Sequence, residues 1–266
     1  MISWQDIAIR LGKDGYRDIY WSSEIPSVWS IKPNQNFGGL NEKNAPHRRY
    51  VNDIGVEFRF NNLGWRSDFD FDQALLSQKN IIVLGCSDTF GHALPIESTW
   101  PGLLQHTLGS DYRVLNLSWG GISTDWTARI GYKTLHFLKQ TAVAVCILWP
   151  QLSAREFVSK RVSSGIHTHL RSVVPYPQYW NFIDWKSNNY NFHKNRHFLI
   201  TTAASLGVSF FDLTINRKDT SVPWDIIEYD GYISLGPSSH LAISDFFLRK
   251  IRNLPSYWQE HCSRSL

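Results

Sequence analysis

The feature that most constrains this chain is a rhythm. Between residues 80 and 150, short apolar runs alternate with amphipathic stretches. Ile81–Leu84, Val114–Leu117 and Ala142–Trp149 are apolar and short, the pattern of strands buried on both faces. Between them, Trp126, Ile130, Phe137 and Leu138 recur at near-helical spacing. The rhythm lapses over residues 151–190 and then returns. Leu199, Ala203 and Leu206 share one helix face, Gly207 supplies a helix stop, and Val208–Leu213 reads as a strand. Ile243, Phe247 and Ile251, at i, i+4 and i+8, predict a last helix. Strand alternating with helix predicts an α/β fold, a three-layer α/β/α sandwich around a central parallel sheet.

A length of 266 residues allows one large domain or two small ones. Residues 1–75 are rich in aromatics and turn residues and read as an N-terminal extension packed on the main domain, with Val56–Phe60 as a short strand. Residues 76–266 form the α/β domain, with 151–190 as an inserted loop region. A hydrophobic content of 42% excludes general disorder. A net charge of +4, from 27 Lys and Arg against 23 Asp and Glu, is too small for a dedicated nucleic-acid binder. The longest apolar run, Ala142–Trp149, is far short of a membrane span. The N-terminus mixes charges throughout and has no apolar stretch of the signal-peptide kind. The expectation is a cytoplasmic protein without a membrane partner.

Cys86, Cys146 and Cys262 are odd in number, widely spaced and without a CxxC pair, which argues against a disulfide framework and a cysteine zinc site. His193 and His197 are spaced i, i+4, but the run is HKNRH and lacks the Glu of HExxH. His167 and His169 form a loose pair on a predicted loop. Neither metal nor cofactor is expected.

In a parallel sheet, reactive groups sit on loops at the C-terminal ends of the strands. The first such loop reads IIVLGCSDTFGHALPIESTWPGLL. The strand ends at Gly85, Ser87 follows two residues later, and Gly85 and Gly91 bracket a tight turn. Such a turn presents a hydroxyl together with backbone N–H groups, which suits a nucleophile. It equally suits a serine that caps the helix that follows. The G-x-S-x-G elbow is not matched, because the residue two after Ser87 is Thr89.

Gly85-Cys86-Ser87-Asp88-Thr89-Phe90-Gly91 resembles block I of the SGNH (GDSL-type) hydrolases, whose usual form is a strand followed by GDSxTxG. Asn61-Asn62-Leu63-Gly64-Trp65-Arg66 resembles the N-x-x-G-x-R segment that precedes block I in one large branch of the family. VLNLSWGGIST, Val114 to Thr124, resembles block II, and Leu148-Trp149-Pro150-Gln151 stands where block III follows the third strand. The resemblance spans residues 56–151 and 191–252. It implies an SGNH-like, flavodoxin-like fold and serine chemistry on ester bonds. Ser87 would attack the carbonyl. The Ser87 and Gly121 N–H groups and a side-chain amide, here Gln151 in place of the usual Asn, would hold the oxyanion. Gln151 also fits a solvated loop residue.

Two positions depart from the family pattern. Cys86 replaces the Asp of GDS, as in some SGNH-like sequences, phage ones among them. It is either a reactive thiol or a small buried residue. The second departure concerns the base. Asp230-Gly231-Tyr232-Ile233-Ser234-Leu235-Gly236-Pro237-Ser238-Ser239-His240 resembles DGxHPGPxSH, yet Ile233 or Ser234 falls where the first His stands. Three readings follow. His240 or another His is recruited as base, with Asp230 or Asp212 as the orienter of His240, or Ser87 works without its usual base, or the chain is a catalytically impaired SGNH-fold binding or assembly protein. In the last case His240 simply begins the last helix.

Over residues 151–190, Tyr176, Tyr179, Trp180, Phe182 and Trp185 stand near Arg155, Arg161 and Arg171. Such rings suit carbohydrate faces or protein interfaces, and also suit pinning a long loop to the core. The function expected is serine ester hydrolysis on a small-molecule or carbohydrate ester, with acyl transfer from the same serine as a variant.

Overall fold

The computed structural model describes residues 49–51, 56–59, 65–67, 79–120, 122–152, 154–158, 166–169, 184–215, 225–229 and 232–254. Most of the expected N-terminal extension and of the 151–190 insertion, with its aromatic cluster, lies outside the described residues.

The elements in chain order are β1 (Arg49–Val51), β2 (Glu57–Arg59), β3 (Lys79–Gly85), α1 (Ser87–Phe90), α2 (Trp100–Leu108), β4 (Tyr112–Asn116), α3 (Thr124–Phe137), β5 (Ala142–Trp149), β6 (Arg155–Val158), β7 (Ile166–His169), α4 (Trp185–Ser205), β8 (Ser209–Thr214), β9 (Ile226–Tyr229), β10 (Tyr232–Leu235) and α5 (Pro237–Arg252). The main sheet is parallel and ordered β4-β3-β5-β8. The pairs β1–β2, β6–β7 and β9–β10 are separate antiparallel ribbons.

The apolar runs become central strands because both of their faces are covered. Ile82, Leu84, Val145 and Ile147 pack with Trp126 and Ile130 of α3 and Phe192 and Leu199 of α4. Ile81, Val83, Cys146 and Leu148 point the other way, to Trp100 and Leu104 of α2 and Ile243 and Phe247 of α5. Successive side chains on a strand face opposite sides, so two helical layers account for strands without polar alternation. Cys146 is buried in β5, and burial pushes its thiol pKa up, so this cysteine is an inert core residue.

The helices begin and end where local chemistry allows. Ser123 caps α3 by accepting the Trp126 N–H at 3.1 Å, and Asp184 caps α4 by accepting the Ser187 N–H at 2.7 Å. Gly207 follows α4 in the left-handed region, at φ 70°, as the sequence predicts for a helix stop. A polar bridge joins α3 to α4. Asn191 and Asn195, one turn apart, both donate to Thr124 Oγ1 and Asp125 Oδ1 at 2.8–3.1 Å. Among the described residues no helix is long and apolar enough to cross a membrane.

Candidate active site

The sheet order decides where a ligand can lie. The second strand of the sheet, β4, is added outside β3, and the third, β5, on the opposite side. This is the flavodoxin-like order, and its crevice opens at the C-terminal ends of the first and third strands. Ser87 follows β3 and Gln151 follows β5, so both stand at that rim, where Gly85 pairs with Leu148.

Ser87 opens α1 directly beyond β3 and is half-buried. Its hydroxyl donates to Cys86 Sγ at 3.7 Å. At the first helical position its N–H has no partner inside the helix. The turn is tight because Gly85 has no side chain. A Cβ there would collide with Thr89 Oγ1 and sit 2.9 Å from the Leu148 carbonyl oxygen. Thr89 Oγ1 in turn accepts Trp100 Nε1–H at 3.3 Å, tying the turn to α2.

Arg66 braces the turn from below. It is fully buried, and Nη1 donates to the carbonyls of Phe90 (2.5 Å) and Gly91 (2.6 Å) while Nη2 donates to that of Leu94 (2.5 Å). Its guanidinium lies 4.3 Å from the Phe58 ring centroid and 5.4 Å from that of Phe90. A buried cation is tolerable where carbonyl oxygens and aromatic faces surround it in this way. Phe58 stacks on Phe90 at 5.7 Å, and Trp65 meets Trp126 edge-on at 5.8 Å, so these two rings pack onto the α/β core. His92 is in the same loop, 4.7 Å from the Phe90 ring. Burial, and then the Arg66 charge, push its pKa down to about 3, so it is neutral at physiological pH.

The segment that leaves β4 runs along the end of β3. The Leu117 N–H donates to the Val83 carbonyl at 2.9 Å and the Trp119 N–H to that of Gly85 at 3.2 Å. Asn116 Oδ1 accepts from the Ser118 N–H (3.1 Å) and hydroxyl (2.5 Å), which turns the chain as it leaves β4. Gly121 lies outside the described residues, between the buried Gly120 and Ile122. Gln151 is exposed, and its backbone carbonyl accepts the Ala154 N–H at 3.1 Å.

His240 is in a different setting. It lies in the first turn of α5, fully buried, and its Nδ1 accepts the Trp100 N–H at 2.9 Å. An accepting Nδ1 puts the proton on Nε2, which is buried without a partner. Burial is the largest cause that moves the His240 pKa, down to about 4; Asp225 opposes the shift and Arg66 adds to it. Ser87 and His240 are therefore not hydrogen-bonded to one another, and each has a different partner. Asp230, the expected orienter, lies outside the described residues. Asp212, the other carboxylate considered, is engaged elsewhere. It accepts from Arg196 Nε (2.5 Å) and Nη2 (3.1 Å) and from Trp149 Nε1–H (2.9 Å). His193 and His197 are on the exposed side of α4.

Two residues at the site carry roles that sequence reasoning did not assign. The resemblance includes Arg66, but nothing local shows that it binds three carbonyls 24–28 residues away. Asp225 stands in no local motif. Its carboxylate accepts the Ser238 N–H (3.0 Å) and the Ser239 N–H (2.6 Å), capping α5 from a distance. Burial works against its ionisation, but the hydrogen bonds from Ser239 and Ser238 prevail and hold its pKa below the usual carboxylate range. Gly236 makes room for it, since a Cβ there would collide with Asp225 Oδ2. A glycine immediately before a Pro-Ser-Ser helix start is the only sequence signal of this arrangement.

Fold and rim together define a three-layer α/β/α protein with a parallel sheet and a serine at the end of its first central strand. No family model matches the chain, and no curated protein matches it. Solved structures do resemble it. Esterase EstA from Pseudoalteromonas sp. is 13% identical over 66% of this chain and 97% of its own, with a TM-score of 0.40. A lipolytic G-D-S-L family member from Veillonella parvula is 11% identical over 66% and 99%, with a TM-score of 0.37. Est24, a carbohydrate acetylesterase from Sinorhizobium meliloti, is 12% identical over 66% and 99%, with a TM-score of 0.36. Likeness at this level says nothing about activity.

Proposed function

We propose that this chain is a serine ester hydrolase of the SGNH type, with Ser87 as nucleophile. One observation carries the reading: a half-buried serine at the first helical position beyond a central strand, on a turn held by the buried Arg66. Ser87 Oγ attacks the ester carbonyl carbon, the bond to the alcohol oxygen breaks, and the serine proton leaves with the alcohol. Water then cleaves the acyl-serine bond, releasing the acid and restoring the hydroxyl. The developing oxyanion is met by the Ser87 N–H, with Gly121 N–H and the Gln151 side-chain amide as further donors. Each donor of this kind is worth about 3–4 kcal/mol of barrier. The substrate is a small-molecule ester or an acylated carbohydrate.

His240 enters this reading as a positioning residue that holds the start of α2, and Ser87 passes its proton to another group. The engagement of His240 by the Trp100 N–H is what a second reading rests on, a binding protein of SGNH type with a catalytically impaired site. The experiment that separates them is labelling with a fluorophosphonate probe, read by intact mass, on wild type and Ser87→Ala. Labelling that disappears in the variant supports the hydrolase. Folded wild type that takes no label overturns it and leaves the binding protein.

A further inference from the structure

Side chains on a strand alternate between its two faces, so a stripe of core residues can be followed past the end of the sheet. On the α3–α4 face three stripes run toward the rim: Ile82 and Leu84 on β3, Leu115 and Leu117 on β4, and Val145, Ile147 and Trp149 on β5. The next residues of the same parity on the first two are Cys86 and Trp119. Both pack against this core, and both are only half-buried. The third stripe closes at Trp149, which is buried and meets Phe192 of α4 edge-on at 5.3 Å. Leu152, three residues on, is again half-buried against the same core.

Trp119 differs from its own segment. Every other described residue from Val114 to Ile122 is buried, yet the largest side chain there is left half-covered. Its place is fixed from two sides. The backbone N–H donates to the Gly85 carbonyl at 3.2 Å, and the ring meets Phe90 edge-on at 5.3 Å. Gly85 and Phe90 flank Ser87 in the chain, so the indole is anchored to the turn that carries the serine. Half-covered apolar residues are ordinary when scattered. Here they are gathered at three neighbouring strand ends, β4, β3 and β5, and Ser87 follows the middle one. A mostly apolar wall beside a few polar groups is the usual make-up of a small-molecule site, and a cysteine serves in it as a small hydrophobe. A wall that starts at a nucleophile meets whatever is bonded to the carbonyl under attack.

We infer that Cys86, Trp119 and Leu152 form an apolar subsite, and that the ester this chain takes has an alkyl chain of several carbons on one side of its carboxyl group. The inference rests on the ester-hydrolase reading of Ser87 and narrows its substrate class. The alkyl chain belongs to the acyl half or to the alcohol half of the ester, and the two halves are varied separately in the test.

p-Nitrophenyl esters from acetate to hexanoate lengthen the acyl half, and acetate esters from methyl to hexyl lengthen the alcohol half. In one of the two series kcat/KM should rise about two- to fourfold per added methylene. Trp119→Ala should cut that long-over-short preference about fivefold or more. Leu152→Asp, at a half-buried position that tolerates a charge, should do the same where the tryptophan variant fails to fold. Leu206→Ala alters the same core where α4 leads into β8, at the opposite end of the sheet, and should keep the wild-type preference. A flat response in both series, or a preference that the Trp119 and Leu152 variants leave intact, overturns the inference. Binding separates the subsite from hydrolysis. Folded Ser87→Ala protein is titrated with methyl hexanoate, hexyl acetate and methyl acetate and followed by saturation-transfer NMR. Tighter binding of one long ester, lost when Leu152→Asp is added, supports the subsite even where wild type takes no fluorophosphonate label, a result that overturns the hydrolase alone. Equal responses to all three esters overturn the subsite and leave the hydrolase standing.

Discussion

The turn after β3 holds Ser87 and the first turn of α5 holds His240, and the protein treats the two side chains in opposite ways. The β3 turn keeps Ser87 half-buried at the rim and spends a buried arginine on the carbonyls behind it. The α5 start buries His240 completely and spends its nitrogen lone pair on the backbone of α2. One side chain is partly open to solvent with a single weak hydrogen bond, and the other is part of the packing. A motif position specifies a residue type, whereas the direction of its side chain is set by the partners that the fold supplies.

The largest effect that would sharpen this contrast is at Ser87. Ser87→Ala should lower ester turnover by about 10³-fold or more while leaving the melting temperature nearly unchanged, because its hydroxyl makes one weak bond to sulfur. A comparable loss of stability would place Ser87 with His240 among packing residues and break the comparison. Next is the brace. Arg66→Leu should cost about 3–5 kcal/mol in denaturant unfolding and abolish probe labelling, since it leaves three carbonyls without their donor.

His240 should reveal itself through pH. Its folded pKa of about 4 lies below the usual imidazole value of about 6.5, so the unfolded chain binds the extra proton between those values. Stability from this group is complete above about pH 6.5 and is lost as pH falls toward 4, on the order of 3 kcal/mol in all. Urea unfolding across that range should show the slope in wild type. His240→Asn, which keeps an acceptor near Nδ1, should flatten it more than it lowers stability at neutral pH, whereas His240→Ala should be destabilised at every pH. The smallest effect is expected at Gln151. Gln151→Ala should reduce turnover by about 10²- to 10³-fold with no change in unfolding, because its side chain is exposed. No change in turnover would remove Gln151 from the oxyanion site.

Much of the architecture was legible beforehand. The run Ala142–Trp149 is β5 residue for residue, and Ile81–Leu84 and Val208–Leu213 fall within one or two residues of β3 and β8. These elements are local: a strand buried on both faces must be apolar throughout, and a helix against a sheet must repeat its apolar residues every three or four positions. The strand-end serine was legible for the same reason, because a Gly-x-Ser turn after such a run can lead only to the rim of a parallel sheet. The partners of the site were not. Asp225 and Ser239 are 14 residues apart, Arg66 and Leu94 are 28, and His240 and Trp100 are 140.

The chain by itself therefore determined the layers, the order of strand and helix, and which loop bears the nucleophilic residue type. Only the tertiary structure decided that Arg66 serves the serine turn, that Asp212 belongs to Arg196 and Trp149, and that His240 faces Trp100. The reason is the range of the forces involved. Backbone and apolar patterning act over a few residues and are written in sequence spacing. A buried ion or imidazole is placed by whichever distant donors and acceptors can relieve the cost of its burial, and no local spacing encodes those.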